Sequence, residues 1–197
     1  MTATTTPLPP NRNNGLLMLA LVVSLLAMPF LIGAGLYFGG WKPTRTNQHG
    51  LLIDPPLPIP KNGLITTDGH PLPSSELADK WVLLLSLDSP CGTQCNQRID
   101  EMRRIQVSMN KDMGRLRRVV ISQTPNTPEL LAAQNQQPDL LVFSAPQHWL
   151  PRSTSGSTYS IHIIDPLGRR VMEYPAETSA KEIRADLERL LKFAWTG

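Results

Sequence analysis

From Gly15 to Trp41 the chain carries no charged residue over 27 consecutive positions. A bilayer core needs about 20 apolar residues in helical form. Lipid offers the backbone no hydrogen-bond partners, so such a segment is restricted there to a helix that satisfies its own N–H and C=O groups. Pro29 falls inside the span, which membrane helices tolerate. Tyr37 and Trp41 suit the interface at its C-terminal end. A secretory signal has an apolar region of only about 7–15 residues. The small residues at Ile32-Gly-Ala-Gly35 would suit cleavage, yet the length favours an uncleaved single-pass anchor over residues 15–41. Arg12 and the terminal amine flank one end, Lys42 and Arg45 the other. That near balance leaves the orientation open, with the side-chain count slightly favouring a cytoplasmic C-terminal domain.

The rest of the 197 residues is enough for one domain with appendages. A formal net charge of +3 excludes a large nucleic-acid footprint, so no nucleic-acid partner is expected. Residues 1–14 read as an N-terminal tail. Residues 42–62, with Asp54-Pro-Pro-Leu-Pro-Ile-Pro60 at their centre, read as a Pro-rich, semi-rigid spacer. The domain is expected over 63–197.

Within it, Leu64–His70 has an Asp-Gly turn between short extended pieces, a hairpin signal. Residues 82–87 form an unbroken apolar run that predicts a buried strand. Cys95, Ile99, Met102, Ile105 and Met109 fall on one face of a helix. Val119–Ile121 is a second strand, and Thr127-Pro128 opens a second helix with Thr as N-cap. Leu140–Phe143 is a third strand, followed by an irregular loop over 144–158. Residues 159–164 and 169–173 make a hairpin around Asp165-Pro-Leu-Gly168. Ser179 and Glu182 form a capping box on a last helix that turns Ala180, Ile183, Leu187, Leu190 and Leu191 inward. A β-α-β start with a β-β-α finish is an α/β, thioredoxin-like order.

Cys91 and Cys95 are the two cysteines of the chain, and they fall between the first strand and the first helix. A helix N-terminus favours the reactive thiolate. If the helix ran through both, positions i and i+4 would share one face. Three chemistries stay open for the pair: a stable disulfide, thiol exchange, or a soft metal such as Cu(I). A disulfide across so short a loop has little chain entropy to remove, so stability alone is a poor reason for it. Asp88 is placed to raise a thiol pKa or to cap the turn. Arg103, Arg104, Lys111, Arg115, Arg117 and Arg118 read as a basic cluster at a helix end.

Asp79-Lys-Trp-Val-Leu-Leu84 leading into Cys91-x-x-x-Cys95 resembles the SCO/SenC family of thioredoxin-fold cytochrome c oxidase assembly proteins. So do Asn126-Thr-Pro-Glu-Leu130, Ile164-Asp-Pro-Leu-Gly168 and Ser179-Ala-Lys-Glu-Ile183. The resemblance implies an assembly factor using Cys91 and Cys95 as a redox pair or as Cu(I) ligands. It implies a respiratory oxidase subunit, or another thiol or copper assembly protein, as partner. It also implies a bacterial inner-membrane location with the domain in the periplasm or an equivalent outward compartment. Gly92 stands where the family usually has Pro, and Ser157 where its third copper ligand, a His, falls. His148 in the long loop and His162 in a strand are then the candidate displaced ligands, with His148 ahead because a loop orders more easily than a strand turns its side chain outward. A general thiol-disulfide oxidoreductase is the alternative, although Gly156–Tyr159 lacks the proline such enzymes place there. A non-catalytic binding module using the 144–158 loop is the other. His49 and His70 receive no role.

Overall fold

The computed structural model describes residues 12–41, 48–60, 62–146, 149–150 and 156–193. The chain divides into two units, 1–47 and 48–197. The first contains helix α1 (Arg12–Phe38), which runs through Pro29 without ending there. Its segment Gly15–Phe38 is long and apolar enough to cross a membrane. Leu, Val, Met and Phe side chains are exposed all along it, as a lipid-facing helix requires.

The second unit is a mixed sheet with helices. Its strands are β1 (Leu51–Pro58), β2 (Ile65–Thr66), β3 (Trp81–Leu87), β4 (Leu116–Ser122), β5 (Leu140–Ser144), β6 (Tyr159–Ile164) and β7 (Arg169–Tyr174). Their spatial order is β1-β7-β6-β3-β4-β5-β2. β3 pairs parallel with β4 and antiparallel with β6, and β4 pairs parallel with β5. Helices α2 (Thr93–Ser108), α3 (Pro128–Gln136) and α4 (Ala180–Phe193) complete the unit. Thr127 accepts the Leu130 N–H as the N-cap of α3, and Ser179 and Glu182 bond reciprocally at the start of α4. The hairpin β6–β7 turns on Gly168, whose φ of +73° suits glycine. The buried Asp165 fixes that turn by accepting from the Leu167 and Arg169 backbone N–H groups and from the Arg169 guanidinium.

All seven residues of β3 are buried, because the strand has a covered layer on each side. Leu83, Leu85, Val120, Ile161 and Ile163 pack with Ile99, Met102, Leu130, Ile183 and Leu187 from the helices. Val82, Leu84, Val119, Ile121, Phe143 and Ile164 pack on the opposite face with Leu64 and Leu77. The period of two along each strand assigns every side chain to one of these layers.

Two expectations change. The Pro-rich stretch is not a spacer throughout: Leu51, Leu52, Leu57 and Pro58 pair with β7 as an edge strand. Its start is pinned by Asp186 of α4, a buried carboxylate whose Oδ2 accepts from His49 N at 2.8 Å, Gly50 N at 3.1 Å and Tyr174 Oη at 3.2 Å. A Cβ on Gly50 would lie 2.6 Å from the Tyr174 ring, so the close approach needs glycine. Burial and the adjacent Asp186 push the Tyr174 phenol well above its usual range.

The basic cluster also loses a member. Arg118 is fully buried, because Leu83 is its partner across the β3–β4 register. It donates to Gln106 Oε1 at 2.6 Å, to Gln137 Oε1 and to Asp139 Oδ1 at 2.7 Å. These bonds tie α2, β4 and the α3–β5 turn together.

Candidate functional site

Strand β3 ends at Leu87, and Ser89-Pro90 carry the chain to Cys91 at the top of the sheet. Gly92 is extended, with φ −109° and ψ −164°, and α2 begins at Thr93. Cys91 therefore lies outside the helix and Cys95 in its first turn. The two sulfurs do not converge along one helical face, as the i, i+4 argument expects, but because the extended Gly92 folds Cys91 back over the helix start. The Cα atoms are 5.3 Å apart and the cysteines form a disulfide. Cys91 is 5% exposed and Cys95 4%. No side chain caps α2 at Gly92. The first-turn N–H groups and the helix dipole thus favour negative charge beside the sulfurs once the bond is reduced.

The pair borders solvent on the Cys95 side. A 250 Å³ cavity is lined by Leu87, Pro90, Thr93, Cys95, Thr158 and Tyr159. It shares Gln94, Thr158 and Tyr159 with a 520 Å³ groove that continues to Arg98, Glu101, Ser157 and Glu177. Arg98 is held by Glu101 at 2.5 Å, by the Thr178 carbonyl at 3.1 Å and by the Ala176 carbonyl. Its guanidinium lies 5.8 Å from the Tyr159 ring centroid. Asp88 N donates to the Thr158 carbonyl at 2.9 Å, which ties the approach to β6 onto the turn before the cysteines. On the other side, the Asn96 side-chain oxygen lies 3.5 Å from the Cys91 sulfur.

The structure brings the two cysteines together but does not bring His162 to them. His162 is paired with Leu84 in the β3–β6 register and alternates with Ile161 and Ile163, which lie on the cysteine side. Its ring therefore occupies the opposite face of the sheet, where it is 0% exposed and its Nε2 lies 2.8 Å from Ser160 Oγ. Burial, aided by the Arg170 charge, holds its pKa down to about 3. His162 is thus excluded as a third ligand to a metal on Cys91 and Cys95. His148 lies outside the described residues. Ser157 Oγ lies 3.5 Å from Glu177 Oε1 in the groove. His49 lies 3.7 Å from Glu182, and His70 sits in the turn after β2. Among the described residues no three His, Cys, Asp or Glu side chains gather into a metal-binding group. Asn96, Arg98, Thr158 and Tyr159 carry no motif in the sequence; α2 itself supplies Asn96 and Arg98, and the pairing of β6 with β3 brings Thr158 and Tyr159 to the pair.

Residues 81–194 match the family model described as "Transmembrane-like, thioredoxin-like, C-terminal domain". The chain belongs to this family. No curated protein matches the sequence. Among solved structures, yeast Sco1 is similar with a TM-score of 0.57 at 17% identity, over 72% of this chain and 98% of that one. The copper-bound form of yeast Sco1 gives 0.56 at 16% identity, over 71% and 95%. Apo Sco1 from Thermus thermophilus gives 0.55 at 19%, over 76% and 99%. At such identities the likeness is one of fold, and it bears out the thioredoxin-like architecture expected from the SCO/SenC resemblance.

Proposed function

We propose that this chain is a membrane-tethered assembly factor for cytochrome c oxidase that works through Cys91 and Cys95. The observation that carries the reading is the disulfide at the uncapped start of α2, beside a cavity that continues into a polar groove. In thiol exchange, a thiolate of the reduced pair attacks a partner disulfide and displaces one partner sulfur. The second thiol then breaks the mixed disulfide. The partner leaves with two thiols, the pair is oxidised, and a dithiol donor in the same compartment returns it to the reduced state. Cu(I) handling is the other mode of the same site. Two soft thiolates suit Cu(I) as cargo. With Ser157 at the family's histidine position and His162 facing away, Cu(II) finds no imidazole among the described residues at this site; His148 is left as the candidate third ligand. The absence of proline over 156–159 weighs against a general oxidoreductase.

The SCO/SenC resemblance supports a domain on the periplasmic side of a bacterial inner membrane or in an equivalent outward-facing compartment. Phosphatase activity without fluorescence from C-terminal fusions is the expected outcome, and the reverse overturns the orientation. The function is tested by deleting the gene and restoring it as wild type, Cys91→Ser or Cys95→Ser, with oxidase activity read with and without added copper. Both cysteine variants should fail to restore activity. Rescue by copper selects Cu(I) handling, and failure of copper to rescue selects thiol exchange. Full restoration by both variants overturns the cysteine mechanism and leaves a binding module.

A further inference from the structure

The two sulfurs have different neighbours. Cys95 lines the solvent cavity with Thr158 and Tyr159. Cys91 meets the side chain of Asn96, with Sγ 3.5 Å from Oδ1. Asn96 is half-buried in the first turn of α2, where its N–H bonds the Gly92 carbonyl at 3.1 Å. Its amide also borders a 440 Å³ cleft between α2 and α3, with Ile99, Asp100, Pro128 and Ala133. A disulfide sulfur has no proton, so the oxidised pair gives the amide oxygen nothing to accept. Reduction changes this. A Cys91 thiol has a proton to donate to Oδ1, and a Cys91 thiolate accepts from Nδ2–H once the amide turns over, which exchanges two ends of similar shape.

We infer that Asn96 is a positioning residue for the pair: its amide stabilises Cys91 in the reduced state, through Oδ1 as a thiol and through Nδ2–H as a thiolate, and so sets the redox poise of the disulfide. This rests on the pair being redox-active, as the thiol-exchange reading holds. The couple is balanced by an external dithiol. The dithiol is oxidised to its own disulfide, the Cys91–Cys95 bond breaks, and the two sulfurs take up the two electrons and, as thiols, two protons. A bond present only in the reduced form raises the reduction potential, and the charge-assisted bond to a thiolate is the stronger of the two. The contact is made to the Cys91 sulfur, so the effect falls chiefly on that sulfur.

The test uses the full-length protein in detergent, equilibrated with graded ratios of reduced and oxidised dithiothreitol. Asn96→Leu should shift the equilibrium towards the disulfide about tenfold, which is about 30 mV for a two-electron couple. Alkylation of the reduced protein against pH should show a raised Cys91 pKa and an unchanged Cys95 pKa. Asn96→Asp keeps the shape and an acceptor for the Cys91 thiol but has no N–H and adds a like charge, so it should raise the Cys91 pKa at least as far as Asn96→Leu. A merely packing role predicts that the isosteric Asp behaves as wild type. A wild-type Cys91 pKa in Asn96→Asp, or equal pKa changes at both cysteines in Asn96→Leu, overturns the inference. A wild-type pair that no dithiol reduces removes it together with the thiol-exchange reading, whereas a reducible pair indifferent to residue 96 removes the inference alone.

Discussion

His162 shows how one residue's parity in a strand decides its chemistry. Its ring is sealed in the layer with Leu84 and Ile164, and its folded pKa of about 3 lies far below the unfolded value of about 6.5. Between those values the unfolded chain binds a proton that the native chain refuses, so stability falls as pH falls through that window. Chemical unfolding of residues 48–197 between pH 6.5 and 5 should lose stability with a slope approaching about 1.4 kcal/mol per pH unit from this group. His162→Gln should flatten the slope by nearly one proton; an unchanged slope would contradict the burial. Arg118 gives a second residue-scale expectation. Arg118→Ala leaves the oxygens of Gln106 and Gln137 without their donor and opens a cavity, at a cost of about 3–5 kcal/mol. Asp139→Ala takes the carboxylate from a buried guanidinium but keeps both glutamine bonds, so it should cost less, about 1.5–3 kcal/mol. Equal costs in urea unfolding would show that Arg118 is not the hub. The cysteine pair was legible in the sequence because its spacing survives any packing. The faces of His162 and Arg118 were not, because strands covered on both sides present no alternation of apolar and polar residues from which to read which layer a residue enters.

At the scale of elements, the periodic segments were legible: β3, β4, α2, α4 and the β6–β7 hairpin each carry a run, a cap or a turn of their own. β1 was not, because its prolines read as a spacer. Proline lacks an N–H but is tolerated on an edge strand, where the missing donor faces away from the ladder. The pinning of His49 and Gly50 by Asp186 is likewise non-local, joining residues 136 or more apart. Removing β1 should therefore destabilise the domain and not merely shorten it. A soluble fragment of residues 48–197 should unfold cooperatively. One beginning at residue 61 loses the β1–β7 ladder and leaves Asp186 buried without its two backbone donors, at a cost of about 2–4 kcal/mol. Equal midpoints and slopes in urea would show that the edge strand contributes nothing.

In the whole molecule, an apolar helix able to cross a membrane precedes a thioredoxin-like domain whose one cysteine pair sits at a helix start beside a groove. Under the proposed function this pair works as a reversible couple and is not a staple. The short loop it closes leaves little entropy for stabilisation, and the uncapped α2 terminus favours the thiolate of the reduced form. Structural disulfides have reduction potentials below about −300 mV, whereas exchanging pairs lie above that value. The most direct test is alkylation trapping of the full-length protein across a graded dithiol redox series. A reversible couple gives one two-electron transition with a midpoint above about −300 mV, lost in Cys91→Ser. A pair that stays oxidised at every ratio down to that potential, or that alkylates identically under oxidising and reducing conditions, would contradict it.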